Sequence, residues 1–93
     1  MTPAAYLAEH GHRILSACRR ELLSQAPRLS TSTVERLLRQ MDTAARFLTR
    51  PTPAGTPTPL EERQAIDAAH ALLLTCRWLN LPEAEELNIK LTA

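Results

Sequence analysis

Three stretches of this 93-residue chain carry apolar residues at steps of three and four, and prolines stand between them or at their ends. A helix turns once every 3.6 residues, so that spacing gives each stretch a single apolar stripe. The kinds of apolar residue agree with it. Sixteen leucines and fourteen alanines dominate, and both are good helix formers. Ile14, Val34, Ile66 and Ile89 are the only isoleucines and valines, and there is one Phe, one Tyr and one Trp. Strands and sandwich cores lean on those types. The sequence therefore predicts an all-α fold, a small three-helix bundle with a short fourth C-terminal helix. This length fits one domain, residues 1–93, which buries about 60–65% of the surface of its unfolded chain. With 44% hydrophobic and 23% charged residues, the chain is not a disordered one.

The first helix is predicted over 4–26, with Leu7, Gly11, Ile14, Leu15, Cys18, Leu22 and Ala26 on one face. Gly11 inside that face costs about 1 kcal/mol against alanine. It marks either a close helix crossing or a weak spot. Pro27 ends the helix, because the residue before a proline is pushed out of helical geometry. The second helix is predicted over 33–49. Ser32 and Glu35 have the spacing of a capping box. Val34, Leu37, Leu38, Met41, Ala45 and Leu48 make the stripe, with Phe47 at its edge. Glu35–Arg39 and Asp42–Arg46 are i,i+4 pairs in the favourable order. Residues 50–59, with four prolines in ten, form a semi-extended connection hinged at Gly55.

The third helix, 59–79, starts sharply at Thr58, Pro59 and Glu61. Its stripe is Ile66, Ala69, Leu72, Leu73, Cys76 and Leu79, yet from Ala68 to Leu79 only His70, Thr75 and Arg77 are polar. A helix apolar nearly all round is buried on several sides. That predicts a central position or a second interface. Asn80 suits a left-handed cap, and Pro82 opens the last helix, 82–90. Glu83, Glu85 and Glu86 stand at its positive end, and Leu87 and Leu91 fold back onto the bundle.

Charge narrows the function classes. The net charge is +1, but residues 1–50 carry eight basic and four acidic groups while 51–93 carry three and six. Solvated faces of opposite sign account for this, and DNA-binding domains carry a stronger basic excess. Ten arginines against one lysine point to a GC-rich, bacterial genome. Met1 to Ala5 show no basic segment leading into an apolar run, so no secretion signal is expected. Ala65–Leu81, the most apolar segment, contains Asp67, His70, Arg77 and Asn80, which a membrane span does not tolerate. Two distant cysteines without framework spacing fit a reduced cytoplasm. Cys18 and Cys76 read as small buried hydrophobes, an interhelix disulfide or redox switch being the alternative.

Catalytic and metal chemistry is sparse. His10 and His12 diverge by about 200° on a helix and cannot share an ion. His70 has no second ligand one turn away and reads as a helix-face residue. Gly11 and Gly55 are the only glycines, so no phosphate-cradling loop is present. Glu61–Glu62 and Glu85–Glu86 sit in first turns, where the helix dipole explains them. The expectation is a non-enzyme with no metal and no cofactor.

What remains is the apolar excess of the third helix, and excess of this kind marks protein interfaces. The reading is a small cytoplasmic protein–protein interaction module that masks a partner's surface, as an adaptor, chaperone, antiactivator or inhibitor. Leu74, Trp78 and Leu81, off the main stripe, are the expected contacts, since Trp is an enriched anchor type. Alternatively, Trp78 plugs the bundle's end beneath the fourth helix. A homodimer through the third helix is a linked option.

A different class comes from Ser30, Thr31, Ser32, Thr33, Arg36 and Arg39. With the helix Glu21–Ala26 ahead of it, the segment Leu29–Leu38 resembles the start of the recognition helix in helix-turn-helix regulators, over about eighteen residues. The resemblance implies a DNA-binding regulator with those hydroxyls facing the groove and the arginines on phosphates. The turn Ala26–Leu29 lacks the usual glycine and is longer by a residue, and the preceding helix is about twice the usual length. An N-cap serine accounts for the same residues.

Overall fold

The computed structural model describes residues 2–49 and 58–92. Four helices follow one another: α1 (Pro3–Gln25), α2 (Thr31–Leu48), α3 (Pro59–Leu79) and α4 (Glu83–Thr92), with a single 3-10 turn, Ala26–Arg28, between the first two. The described residues contain no strand. The all-α bundle with a short C-terminal helix is the fold observed. Most of the proline-rich connection, residues 50–57, lies outside the described residues.

The ends of the helices follow from local chemistry. Thr2 caps α1 by accepting the Ala5 N–H at 3.2 Å, with Pro3 in the first helical position. Thr58 does the same for α3: its Oγ1 accepts the Glu61 N–H at 3.2 Å, and its hydroxyl lies 3.1 Å from the Glu61 carboxylate. Asn80 ends α3 in the left-handed region, at φ 62°. The Leu81 N–H then reaches back to the Cys76 carbonyl at 2.9 Å, and that of Asn80 to Arg77 at 3.2 Å, satisfying carbonyls the helix end leaves free.

The start of α2 corrects the sequence expectation. Ser30, not Ser32, is the cap: its Oγ accepts the Thr33 N–H at 3.2 Å, and Ser32 already lies within the helix. Several hydroxyl residues in a row offer alternative caps, and the flanking apolar residues decide among them. With Ser30 as cap, Leu29 and Val34 fall at the two positions of a hydrophobic staple, and both pack against the core. The Ser32–Glu35 capping box is not formed.

The helices run up, down and up, and α4 returns. Leu48 near the end of α2 lies against Gly11, and Arg19 lines a shallow depression with Leu38, Met41, Asp42 and Ala45, so α1 and α2 are antiparallel. Cys18 meets Cys76, and the Gln25 amide donates to the Leu79 carbonyl at 3.1 Å, so α1 and α3 point the same way. Thr75 reaches Gln40 on α2, and Arg77 donates to Asn88 on α4. Helix α3 packs against α1, α2 and α4 alike. Central placement is therefore one reason for its apolar sequence.

The core contains the predicted positions Leu7, Ile14, Cys18, Leu37, Leu72, Cys76, Leu79 and Leu87, all fully or nearly fully buried. Gly11 does mark a close approach. A Cβ there would stand 2.6 Å from the Leu48 Cδ2 methyl, which occupies the space instead. Two stripe assignments are wrong. Leu38 and Ile66 are 49% and 39% exposed, while Ala44, Ala65 and Ala68 are buried. Small residues at these points let the helices come close, and the buried arc of α3 centres on Ala65, about 100° from Ile66.

Candidate functional site: the outer face of α3

Because α3 turns its buried arc to three neighbours, the opposite arc is well defined. Leu74 lies about 180° round the helix from Ala65, and Trp78 follows one turn later on the same side. Leu74 is 50% exposed and Trp78 49%, two large apolar side chains together on the surface. Ile66 and His70 precede them at steps of four, and Arg63, Asp67 and Arg77, all exposed, supply the polar surroundings. The face is an apolar pair with charges around it.

Leu81, the third predicted contact, is elsewhere. It is half-buried against the core, just beyond the left-handed Asn80, where an apolar residue commonly seals a helix end. Nor does Trp78 plug the end of the bundle. It stands half in water, while Leu87 of α4 is fully buried.

The segment predicted for DNA contact is placed differently from a helix-turn-helix. There the two helices cross at about 90–120°; here α1 and α2 lie side by side as an antiparallel hairpin. Ser30 Oγ lies 2.8 Å from the Thr33 hydroxyl and 3.3 Å from that of Ser32, so these hydroxyls satisfy one another around the cap. Thr31, Arg36 and Arg39 are exposed. Thr75 and Gln40 meet at 2.9 Å across the antiparallel α2/α3 contact. One turn on along α3 and one turn back along α2, this register puts Trp78 and Arg36 at the same height.

A polar cluster that spacing did not reveal joins α1 to α4. The Tyr6 hydroxyl donates to Glu86 Oε1, which also accepts from Arg13 Nη2 at 2.8 Å. Hydrogen bonding to Tyr6, and then Arg13, holds the Glu86 carboxyl below the usual glutamate range against the opposing effect of burial. Burial, followed by the Glu86 hydrogen bond, pushes the Tyr6 hydroxyl well above the ordinary tyrosine range. Lys90 stands 5.9 Å from the centre of the Tyr6 ring, and the His10 ring packs on that same ring, 4.8 Å between ring centres. This cluster clasps the last helix to the first. A partner eighty residues away in sequence leaves no periodic trace.

Of the remaining chemical candidates, His12 and His70 are exposed. Among the described residues no three His, Cys, Asp or Glu side chains are grouped as metal ligands, and no helix is long and apolar enough to cross a membrane. Comparison with protein-family models, with curated proteins and with solved structures finds no match.

Proposed function

We propose that this chain is a small non-enzymatic interaction module that engages another protein through the outer face of α3, with Leu74 and Trp78 as the anchors. The observation that carries this reading is their joint exposure on a helix whose other sides are already packed. A half-exposed tryptophan beside a half-exposed leucine is unfavourable in water and gains when a partner covers it, by about 25 cal/mol per Å² of apolar surface removed. A polar rim around an apolar centre is the usual anatomy of such contacts. Masking of the partner, and a regulatory role as adaptor, chaperone, antiactivator or inhibitor, is the form of action this reading implies. A bacterial, cytoplasmic setting belongs to the same proposal. A second copy of the chain is the alternative occupant of the face.

The polar side chains support the non-enzymatic part of the reading. Ser30, Thr33, Thr58 and Glu61 serve helix caps, and Tyr6, Arg13 and Glu86 serve the clasp between helices.

The test is affinity capture from a lysate of the source organism with the natural chain and with Trp78→Ala, each with and without nuclease. The expected result is a stoichiometric protein that survives nuclease and is lost with Trp78→Ala, while far-UV circular dichroism shows unchanged helicity. Recovery of the same protein by both chains would remove Trp78 from the interface. Nucleic acid on the bait, lost in Arg36→Glu, would favour the Ser30–Arg39 segment instead.

A further inference from the structure

We propose that Cys18 and Cys76 are an oxidisable pair, and that their coupling into an interhelix disulfide locks α1 to α3. Their sulfurs lie 3.4 Å apart across the α1/α3 contact, and both residues are fully buried. A disulfide spans about 2.05 Å, so the sulfurs must close by roughly 1.4 Å, within reach of side-chain rotation and a small shift of the helices. The chain has no third cysteine to compete. Burial also bars the other outcomes of thiol oxidation: a second copy cannot bring its sulfur to either site, and a bulky adduct has no room.

The surroundings act on both thiols. The S–H···S contact lowers the Cys18 thiol, and the same contact together with burial pushes Cys76 well above the ordinary thiol range. The carboxylates of Glu83 and Glu86 on α4 add to the rise at Cys76. Glu83, whose carboxylate oxygen Oε2 is buried without a hydrogen-bond partner, also opposes ionisation of Cys18. Whichever thiol ionises first is the nucleophile, and the other keeps its proton until the second step.

The oxidant is a peroxide, small enough to reach a buried site. One of the two thiols, as its thiolate, attacks one peroxide oxygen and the O–O bond breaks. The departing hydroxide takes the thiol proton as water, leaving a sulfenic acid. The other sulfur then attacks the first, the S–O bond breaks, and hydroxide leaves with the second thiol's proton as a second water. Two thiols and one peroxide give one disulfide and two waters, the sulfurs losing two electrons in all. The bond closes a loop from residue 18 to 76 that contains α2 and leaves α4 outside. Such a long closed loop restricts the unfolded chain and stabilises the folded one.

The natural chain is treated with one equivalent of hydrogen peroxide under native conditions, then denatured in an alkylating agent and weighed intact. The expected product is monomeric, lighter by two hydrogens, carries no alkyl group and reverts with dithiothreitol. Its melting temperature rises by on the order of 10 °C. Two alkyl groups on a chain of unchanged mass, added oxygen that dithiothreitol does not remove, a disulfide-linked dimer, or an unchanged melting temperature would each overturn the proposal. In Cys76→Ser, Cys18 should stop at a sulfenic acid that dimedone traps once the oxidised chain is denatured and that the natural chain does not show. Equal trapping in both would overturn resolution by the second thiol, and the mass measurement stands even where that variant does not fold.

Discussion

The two arcs of α3 both carry large apolar side chains, and those side chains have opposite fates. Inward, Ala65, Ala69, Leu72, Cys76 and Leu79 are almost wholly buried among three other helices; outward, Leu74 and Trp78 are half in water. Leu73 and Leu74 are neighbours in sequence, yet one is 5% exposed and the other 50%. Leucine content by itself therefore says little about what stabilises this bundle. The difference lies in the hundred-degree step from one residue to the next and in which neighbours stand on each side. The inner arc holds the fold together. The outer arc is free to serve contact.

Substitutions of equal size on the two arcs should separate these roles. The largest effect is expected at Leu72, which is fully buried. Leu72→Ala should cost about 2–5 kcal/mol, read from chemical denaturation followed by circular dichroism. A cost below about 1 kcal/mol would mean that the inner arc is not the core.

The clasp between α1 and α4 comes next. Glu86→Gln removes the charge that Arg13 meets at 2.8 Å and should cost about 1 kcal/mol or less, since both side chains are partly solvated. Its pH signature is more specific. The folded state holds the Glu86 carboxyl below its ordinary range, so between the unfolded and folded pKa values the unfolded chain binds more protons. The contribution is complete above the unfolded value, about 4.3, and is lost as pH falls through the folded one. Acid denaturation profiles should show a steeper decline for the natural chain than for Glu86→Gln below that pH. Parallel profiles would mean that Glu86 is not held this way.

Smaller still is the expected effect at Gly11. A methyl group there would crowd Leu48 Cδ2, the mobile end of a side chain, while alanine gains about 1 kcal/mol of helix propensity. These oppose each other, and Gly11→Ala should change stability by no more than about 0.5 kcal/mol. Gly11→Val adds bulk without that gain and should lower the denaturation midpoint distinctly. Equal midpoints for the two variants would show that Leu48 is not held against Gly11.

The sequence made some of this legible and not the rest, for physical reasons. Helix caps are local, so Thr58 and Asn80 could be identified from their neighbours alone. The start of α2 is also local, but with hydroxyls from Ser30 to Thr33 the choice falls to Leu29 and Val34, whose burial depends on the tertiary fold. Stripes fix the buried side of a helix only to within a residue's step, which is why Ile66 and Leu38 were placed inside and Ala65, Ala68 and Ala44 were missed. Long-range pairs leave no periodic signal. Tyr6 with Glu86 and Cys18 with Cys76 depend on α4 and α3 both returning to α1. The exposed pair on α3 was partly legible: the apolar excess marked the helix, and Leu74 and Trp78 lay off its stripe. Leu81 lay off it too, and the turn at Asn80 draws it inward.

The most direct test of the contrast between the arcs is equilibrium denaturation of the Leu74→Ala/Trp78→Ala double variant beside the natural chain, followed by circular dichroism. Half-exposed side chains that serve contact should cost the isolated chain no more than about 1 kcal/mol together. A loss of about 3 kcal/mol or more, the range for a core tryptophan, would contradict the account and return the outer face of α3 to the core.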